Sequence, residues 1–236
     1  MRTKLIVALD VNTLTEAEKL VDSIGPDVEW FKVGKQLFTR YGPAAVDMLK
    51  ARGKNVFLDL KFHDIPNTVA QAVRSAASLG ADMTNVHAAG GPAMLKAAAA
   101  AASESDILLI AVTVLTSMNA DELAATGITD TPETHVIRLA KLTQASGLAG
   151  VVCSALEITP IKAACGEAFT LVVPGIRPAG SAKGDQKRVM TPGEASRAGA
   201  DFIVVGRPIT QAEVPSQAAA AVLAELRDVT QWRREP

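Results

Sequence analysis

The stretch FLDLKFHDIPNTV (57–69) carries three charges, Asp59, Lys61 and Asp64, two of them inside an otherwise apolar run. A lysine held beside carboxylates offers a preorganised ammonium, which can stabilise developing negative charge and deliver a proton. If the run is a strand, period-two geometry puts Asp59 and Lys61 on one face and Leu58, Leu60 and Phe62 on the other. Two further charges end apolar runs upstream: Asp10 closes LIVALD and Lys32 lies near the end of EWFKVG. Gathered together, these charges of alternating sign offset much of the penalty of burying any one of them. A purely structural ion-paired rim is the plainer alternative, and Asp10 alone could simply begin a turn.

A second constellation lies near the C-terminus. VVPGIRPAGSAKGDQKRVMTP (172–192) is a long segment punctuated by glycine and proline, and VVGRPI (204–209) follows it. Backbone at Gly206 can approach an anion closely, Arg207 can make paired charge-assisted hydrogen bonds, and Gln186 can add a donor. That chemistry suits a phosphate; a solvated arginine on a tight turn is the competing reading.

These residues need a frame. Eight short apolar runs qualify as strands: 5–10, 29–34, 55–62, 82–88, 107–116, 150–155, 170–176 and 201–207. Helical patterns such as TEAEKLVDSI, TVAQAVRSAASL and THVIRLAKLTQASG separate them. Strands divided by helices call for parallel pairing, and eight such units predict a closed (β/α)8 TIM barrel, an α/β fold, spanning 1–236 as one domain. An open doubly wound sheet is the fold alternative. In a barrel the charged strand ends and the loops after strands seven and eight share the functional face.

Local signals agree. Thr13 with Glu16, and Thr191 with Pro192 and Glu194, read as helix starts. Pro66 predicts an abrupt exit from the third strand, with Thr68 able to cap the helix after it. AMLKAAAAAAS (93–103) is a strong helix former, and the long interval from SMNADELAATG to DTPETHVIRL suggests a loop with a small extra helix.

Composition narrows the classes. In 236 residues, 24 basic and 25 acidic side chains give a net charge of -1, which offers no general nucleic-acid footprint. Apolar residues make up 48%, enough for a substantial core, yet no run is long enough to span a membrane. The N-terminus does not read as a signal peptide, so cytoplasmic location is the default expectation. Cys153 and Cys165 read as reduced thiols. His63, His87 and His135 lack compact metal spacing. His63 reads as support, His87 as an orienting or packed residue, His135 as a surface residue, and Trp30 as barrel packing.

The motifs VALD (7–10), FKVGKQLF (31–38), FLDLKFHDIPNTV (57–69), AVTVLTS (111–117), PGIRPAGSAKGDQKR (174–188) and VVGRP (204–208) together closely resemble the orotidine 5′-phosphate decarboxylases of bacteria. The resemblance implies a homodimeric (β/α)8 barrel that converts orotidine 5′-phosphate to uridine 5′-phosphate and carbon dioxide with no cofactor and no metal. It assigns Lys61 as proton donor, Asp59 as the carboxylate beside the reacting group, Lys32 to the same charge network and Asp10 to the ribose. It sends Asp64 and Thr68 into the neighbouring subunit's site and makes Thr116 and Arg177 substrate contacts. Gln186, Gly206 and Arg207 become phosphate ligands. Ser154 either meets the pyrimidine edge or merely forms a turn. The rivals are a Mg²⁺-dependent keto-sugar-phosphate decarboxylase of a related barrel family and a noncatalytic phosphate-binding scaffold. Lys32 speaks against the first, where an acidic residue is expected for the metal.

Overall fold

The computed structural model describes residues 3–178 and 190–232. Eight parallel strands close into a barrel in sequence order: β1 (Lys4–Ala8), β2 (Trp30–Gly34), β3 (Asn55–Phe62), β4 (Met83–His87), β5 (Leu108–Val112), β6 (Gly150–Val152), β7 (Thr170–Pro174) and β8 (Phe202–Val205). Closure excludes the open sheet: β1 pairs with both β2 and β8. The outer layer comprises α1 (Leu14–Ile24), α2 (Lys35–Tyr41), α3 (Ala44–Lys50), α4 (Pro66–Ser78), α5 (Gly91–Ala102), α6 (Ala120–Ala125), α7 (Pro132–Ala145), α8 (Ile158–Cys165), α9 (Pro192–Ala198), α10 (Arg207–Thr210) and α11 (Pro215–Trp232).

Alternation along the strands makes two cores. Inside the barrel, Ile6, Trp30, Phe57, Met83, Ile110, Val172 and Phe202 fill the space, with Trp30 edge-on to Phe202 at 5.3 Å between ring centroids. Residues of opposite parity, among them Val7, Phe31, Leu58, Val86 and Ile203, belong to the larger core that also holds the helices' buried faces. Small alanines let α4 and α5 form the most extensive helix–helix contact among the described residues.

The Thr13–Glu16 and Thr191–Glu194 capping boxes form as expected, and Pro192 takes the first helical turn. The extra helix in the long loop is α6, which a further box, Asn119 with Glu122, begins. Thr68 does not cap α4. The chain turns at extended Ile65, Pro66 opens the helix where no N–H is needed, and the exposed Asp64 carboxylate accepts the Ile65 N–H at 2.6 Å. β5 stops at Val112, short of the expected Thr116, which frees 113–116 to shape the barrel mouth. His135 is half-buried rather than on the free surface.

Two lysine–aspartate joints fasten the other end of the barrel. Lys162 Nζ in α8 meets Asp201 Oδ2 at 3.0 Å and donates to the carbonyls of Glu167 and Phe169; Asp201 Oδ2 also accepts the Leu171 N–H. Half a circumference away, Lys50 in α3 meets Asp82 Oδ2 at 2.8 Å, and Asp82 accepts the Val56 N–H. Asp201 also closes the ring, since its carbonyl accepts the Lys4 N–H at 2.9 Å.

Candidate active site

At the carboxyl ends of β1–β3 the charges form one chain of contacts. Lys32 Nζ lies 3.0 Å from Asp10 Oδ1 and 3.4 Å from Asp59 Oδ2, and Lys61 Nζ lies 2.5 Å from Asp59 Oδ1. Each position follows from the inward parity of its strand: Lys32 stands above Trp30, and Asp59 above Phe57. Gly34 makes room for the first pair, because a Cβ there would come within 2.8 Å of Lys32 Nζ and 3.1 Å of Asp10 Oδ1.

Lys61 arrives on the inner side by a different route from simple alternation. The step from Leu58 to Phe62 in β3 is matched by the shorter step from Thr84 to Val86 in β4, so the ladder bulges between them. Lys61 has φ 54, the sole positive value for a non-glycine among the described residues. That left-handed conformation costs an L-residue roughly 1–2 kcal/mol. Asn85, fully buried in β4, fills the gap: its Oδ1 accepts the Lys61 N–H at 2.8 Å and its Nδ2 donates to Asp59 Oδ1 at 2.7 Å. Asn85 escaped the sequence reading, although a buried amide on the face shared by Met83 and His87 is its visible trace.

Electrostatics lock the charge states. Burial works to raise the Asp59 pKa, but the ammonium groups of Lys32 and Lys61, with hydrogen bonds from Lys61 and Asn85, bring it below the ordinary carboxylate value. Burial likewise works to lower the Lys32 pKa, and the carboxylates of Asp59 and Asp10 outweigh it, so the net shift is upward. Both groups are therefore charged at neutral pH. His87, whose ring stands 5.6 Å from that of His63, is pushed down by burial and then by the His63, Lys35 and Lys61 charges.

The cluster borders a cavity of about 180 Å³. Lys32, Asp59 and Lys61 line it on one side; Val112, Val114, Val152, Pro174 and Val204 form an apolar wall, with Thr116 also in the lining. A larger cleft of about 350 Å³ lies at the opposite end, among Lys4, Asp27, Glu29 and Arg227. The smaller one has the chemistry: a charged edge faces an apolar wall. Among the described residues Asp59 is the sole hydrogen-bond partner of Lys61 Nζ, which leaves N–H donors available on the ammonium.

The structure thus brings Asp10, Lys32, Asp59 and Lys61 together. Asp64 and Thr68 stand apart, exposed on the same shoulder. Gly206 and Arg207 occupy the turn from β8 into α10. Arg177 is buried, with Nη1 donating to the Ile176 carbonyl. Ser154 is also buried, and its Oγ finds no hydrogen-bond partner among the described residues. Gln186 lies outside the described residues.

A closed parallel barrel with its charge cluster at the carboxyl ends of the strands has the layout of a (β/α)8-barrel enzyme. The sequence profile of the orotidine 5′-phosphate decarboxylase/HUMPS family matches residues 3–222. The chain belongs to that family. It is 55% identical to the orotidine 5′-phosphate decarboxylase of Moorella thermoacetica, over 97% of this chain and 94% of the relative. It is 56% identical to that of Pectobacterium carotovorum subsp. carotovorum, over 90% and 87%. The crystal structure of the enzyme from Lactobacillus acidophilus superposes with a TM-score of 0.85 at 38% identity, covering 96% of this chain and 99% of that one.

Proposed function

We propose that this chain decarboxylates orotidine 5′-phosphate to uridine 5′-phosphate in pyrimidine biosynthesis, with Lys61 protonating C6. The observation that carries the reading is the Lys61 ammonium, held against Asp59 at 2.5 Å and facing the cavity. Departure of carbon dioxide leaves a lone pair in the ring plane with no conjugated sink. An ammonium fixed in advance stabilises that charge without reorganisation and then supplies the proton. Asp59, charged beside the substrate carboxylate, disfavours the ground state more than a transition state from which that charge is leaving. Lys32 maintains the Asp59 charge from the other side. The apolar wall suits the neutral carbon dioxide.

Remote contacts supply the binding energy. In this reading Asp10 holds the ribose, Thr116 and Arg177 contact the substrate, Ser154 meets the pyrimidine edge, and Gln186, Gly206 and Arg207 hold the phosphate. One barrel domain in the cytoplasm does this with neither cofactor nor metal. A second copy completes the site: Asp64 and Thr68 flank Ile65, which is 66% exposed, and such an apolar side chain between polar ones suits a homodimer interface.

Purified protein treated with chelator should convert orotidine 5′-phosphate to uridine 5′-phosphate, followed by ultraviolet absorbance and chromatography. Absence of conversion by folded protein would overturn the reading. Heterodimers of a D64A chain with a K61A chain should be far more active than either mutant homodimer, since one of the two composite sites regains both residues. Heterodimers as inactive as both parents would remove the shared site.

A further inference from the structure

We propose that Asn85 is a positioning residue for this reaction: one buried amide fixes both the backbone of Lys61 and the carboxylate of Asp59. The inference rests on the reading of Lys61 as the proton donor and goes beyond it, because Asn85 is fully buried and does not line the cavity.

Three observations meet at this side chain. The β3–β4 register shifts between Leu58 and Phe62, and there the Lys61 N–H donates to a side chain, Asn85 Oδ1. Lys61 sits at φ 54, a conformation that needs support from its surroundings. Asn85 provides that support, accepting the Lys61 N–H at 2.8 Å while donating to Asp59 Oδ1 at 2.7 Å. The same Asp59 oxygen receives Lys61 Nζ at 2.5 Å, so the amide closes a small ring through both members of the pair. Its orientation is dictated by its neighbours. A backbone N–H can only donate and a carboxylate can only accept, so Oδ1 must face Lys61 and Nδ2 must face Asp59.

Close replacements fail one demand or the other: an ionised aspartate offers the acceptor without the donor, leucine offers neither, serine is too short, and glutamine adds a methylene that a fully buried site cannot accept. Asn85 also sets which Asp59 oxygen does what. With Oδ1 engaged twice, Oδ2 is left to face Lys32 at 3.4 Å.

Asn85→Ala should lower kcat about 100-fold through misplacement of Lys61, while the inhibition constant for uridine 5′-phosphate stays within about threefold of wild type. Asn85→Asp, nearly isosteric, carries the test should the alanine variant not fold, and it adds a signature that mere packing would not produce. The introduced carboxyl is buried beside Asp59, so its pKa rises; once protonated it regains a donor for Asp59 Oδ1. Its kcat relative to wild type should therefore recover at least about tenfold as the pH falls from about 8 to about 6. Wild-type turnover in the same assay separates failure of the functional reading from failure of this one. The positioning role is overturned by Asn85→Ala retaining kcat within about threefold of wild type, or by a flat pH ratio for Asn85→Asp.

Discussion

Two lysine–aspartate pairs at opposite ends of one barrel, Lys61–Asp59 and Lys162–Asp201, differ in what surrounds the ammonium. Lys162 uses its donors on two backbone carbonyls and a carboxylate, and its side chain is 6% exposed. Lys61 has one partner among the described residues, stands on strained backbone and borders a cavity. The first ammonium is enclosed by protein acceptors; the second is held by one carboxylate at the edge of a cavity. Residue identity alone does not separate the two pairs; what surrounds each ammonium does.

The sharpest way to break that contrast is to remove each lysine in turn. Lys61→Ala should cut single-turnover decarboxylation by at least about 1000-fold while folding and binding of uridine 5′-phosphate persist. Near-normal turnover would abolish the distinction. Lys162→Met should do the reverse, costing roughly 3–5 kcal/mol in denaturant unfolding because Asp201 and the carbonyls of Glu167 and Phe169 all lose the buried ammonium they share, with kcat per folded molecule unchanged. A folded but inactive Lys162→Met would erase the line from the other side.

Lys50–Asp82 sharpens the comparison because it repeats the lower joint with more exposure, 36% and 31% for the two side chains. Lys50→Met should therefore cost only about 0.5–1 kcal/mol in the same unfolding experiment. An effect equal to that of Lys162→Met would mean that burial is not what sets the strength of these joints.

The smallest effect concerns His87, beside the cluster. Burial first, then the neighbouring positive groups, lower its folded-state pKa below the unfolded value of about 6.5. The unfolded chain thus takes up the proton first as pH falls. Stability is full above about pH 6.5 and is lost as pH drops from there through the lowered folded-state value. His87→Gln should flatten the pH dependence of the unfolding midpoint in that window; an unchanged slope would locate the sensitivity elsewhere.

Eight parallel strands were legible because each apolar run is short and set off by helical periodicity. Asp59 and Lys61 were legible because charges inside an apolar run need a reason. The bulge at Lys61 was not: nothing in Leu-Asp-Leu-Lys-Phe announces a left-handed residue, since the cause lies in the register of a strand 24 residues on. Thr68 misled because a threonine near a helix start is often its cap, whereas here Pro66 and Asp64 settle the start first. Lys162 and Asp201 went unremarked because a joint between residues 39 apart has no local pattern. Gly34 hid at the end of a strand, and its importance appears only with Lys32 and Asp10 beside it.

Ring closure through Asp201 has a consequence for the order of synthesis. β1 finds its second neighbour only when β8 exists; Thr3 and its partner Ala200 are separated by 197 residues. Throughout translation of the intervening chain, one flank of β1 offers unpaired N–H and C=O groups to any other extended segment. A nascent chain released after β7 carries two such flanks, on β1 and on β7, with no strand to join them. Such fragments are templates for edge-to-edge association, so a stalled ribosome yields a sticky intermediate, and shielding by a chaperone matters most just before the last strand emerges.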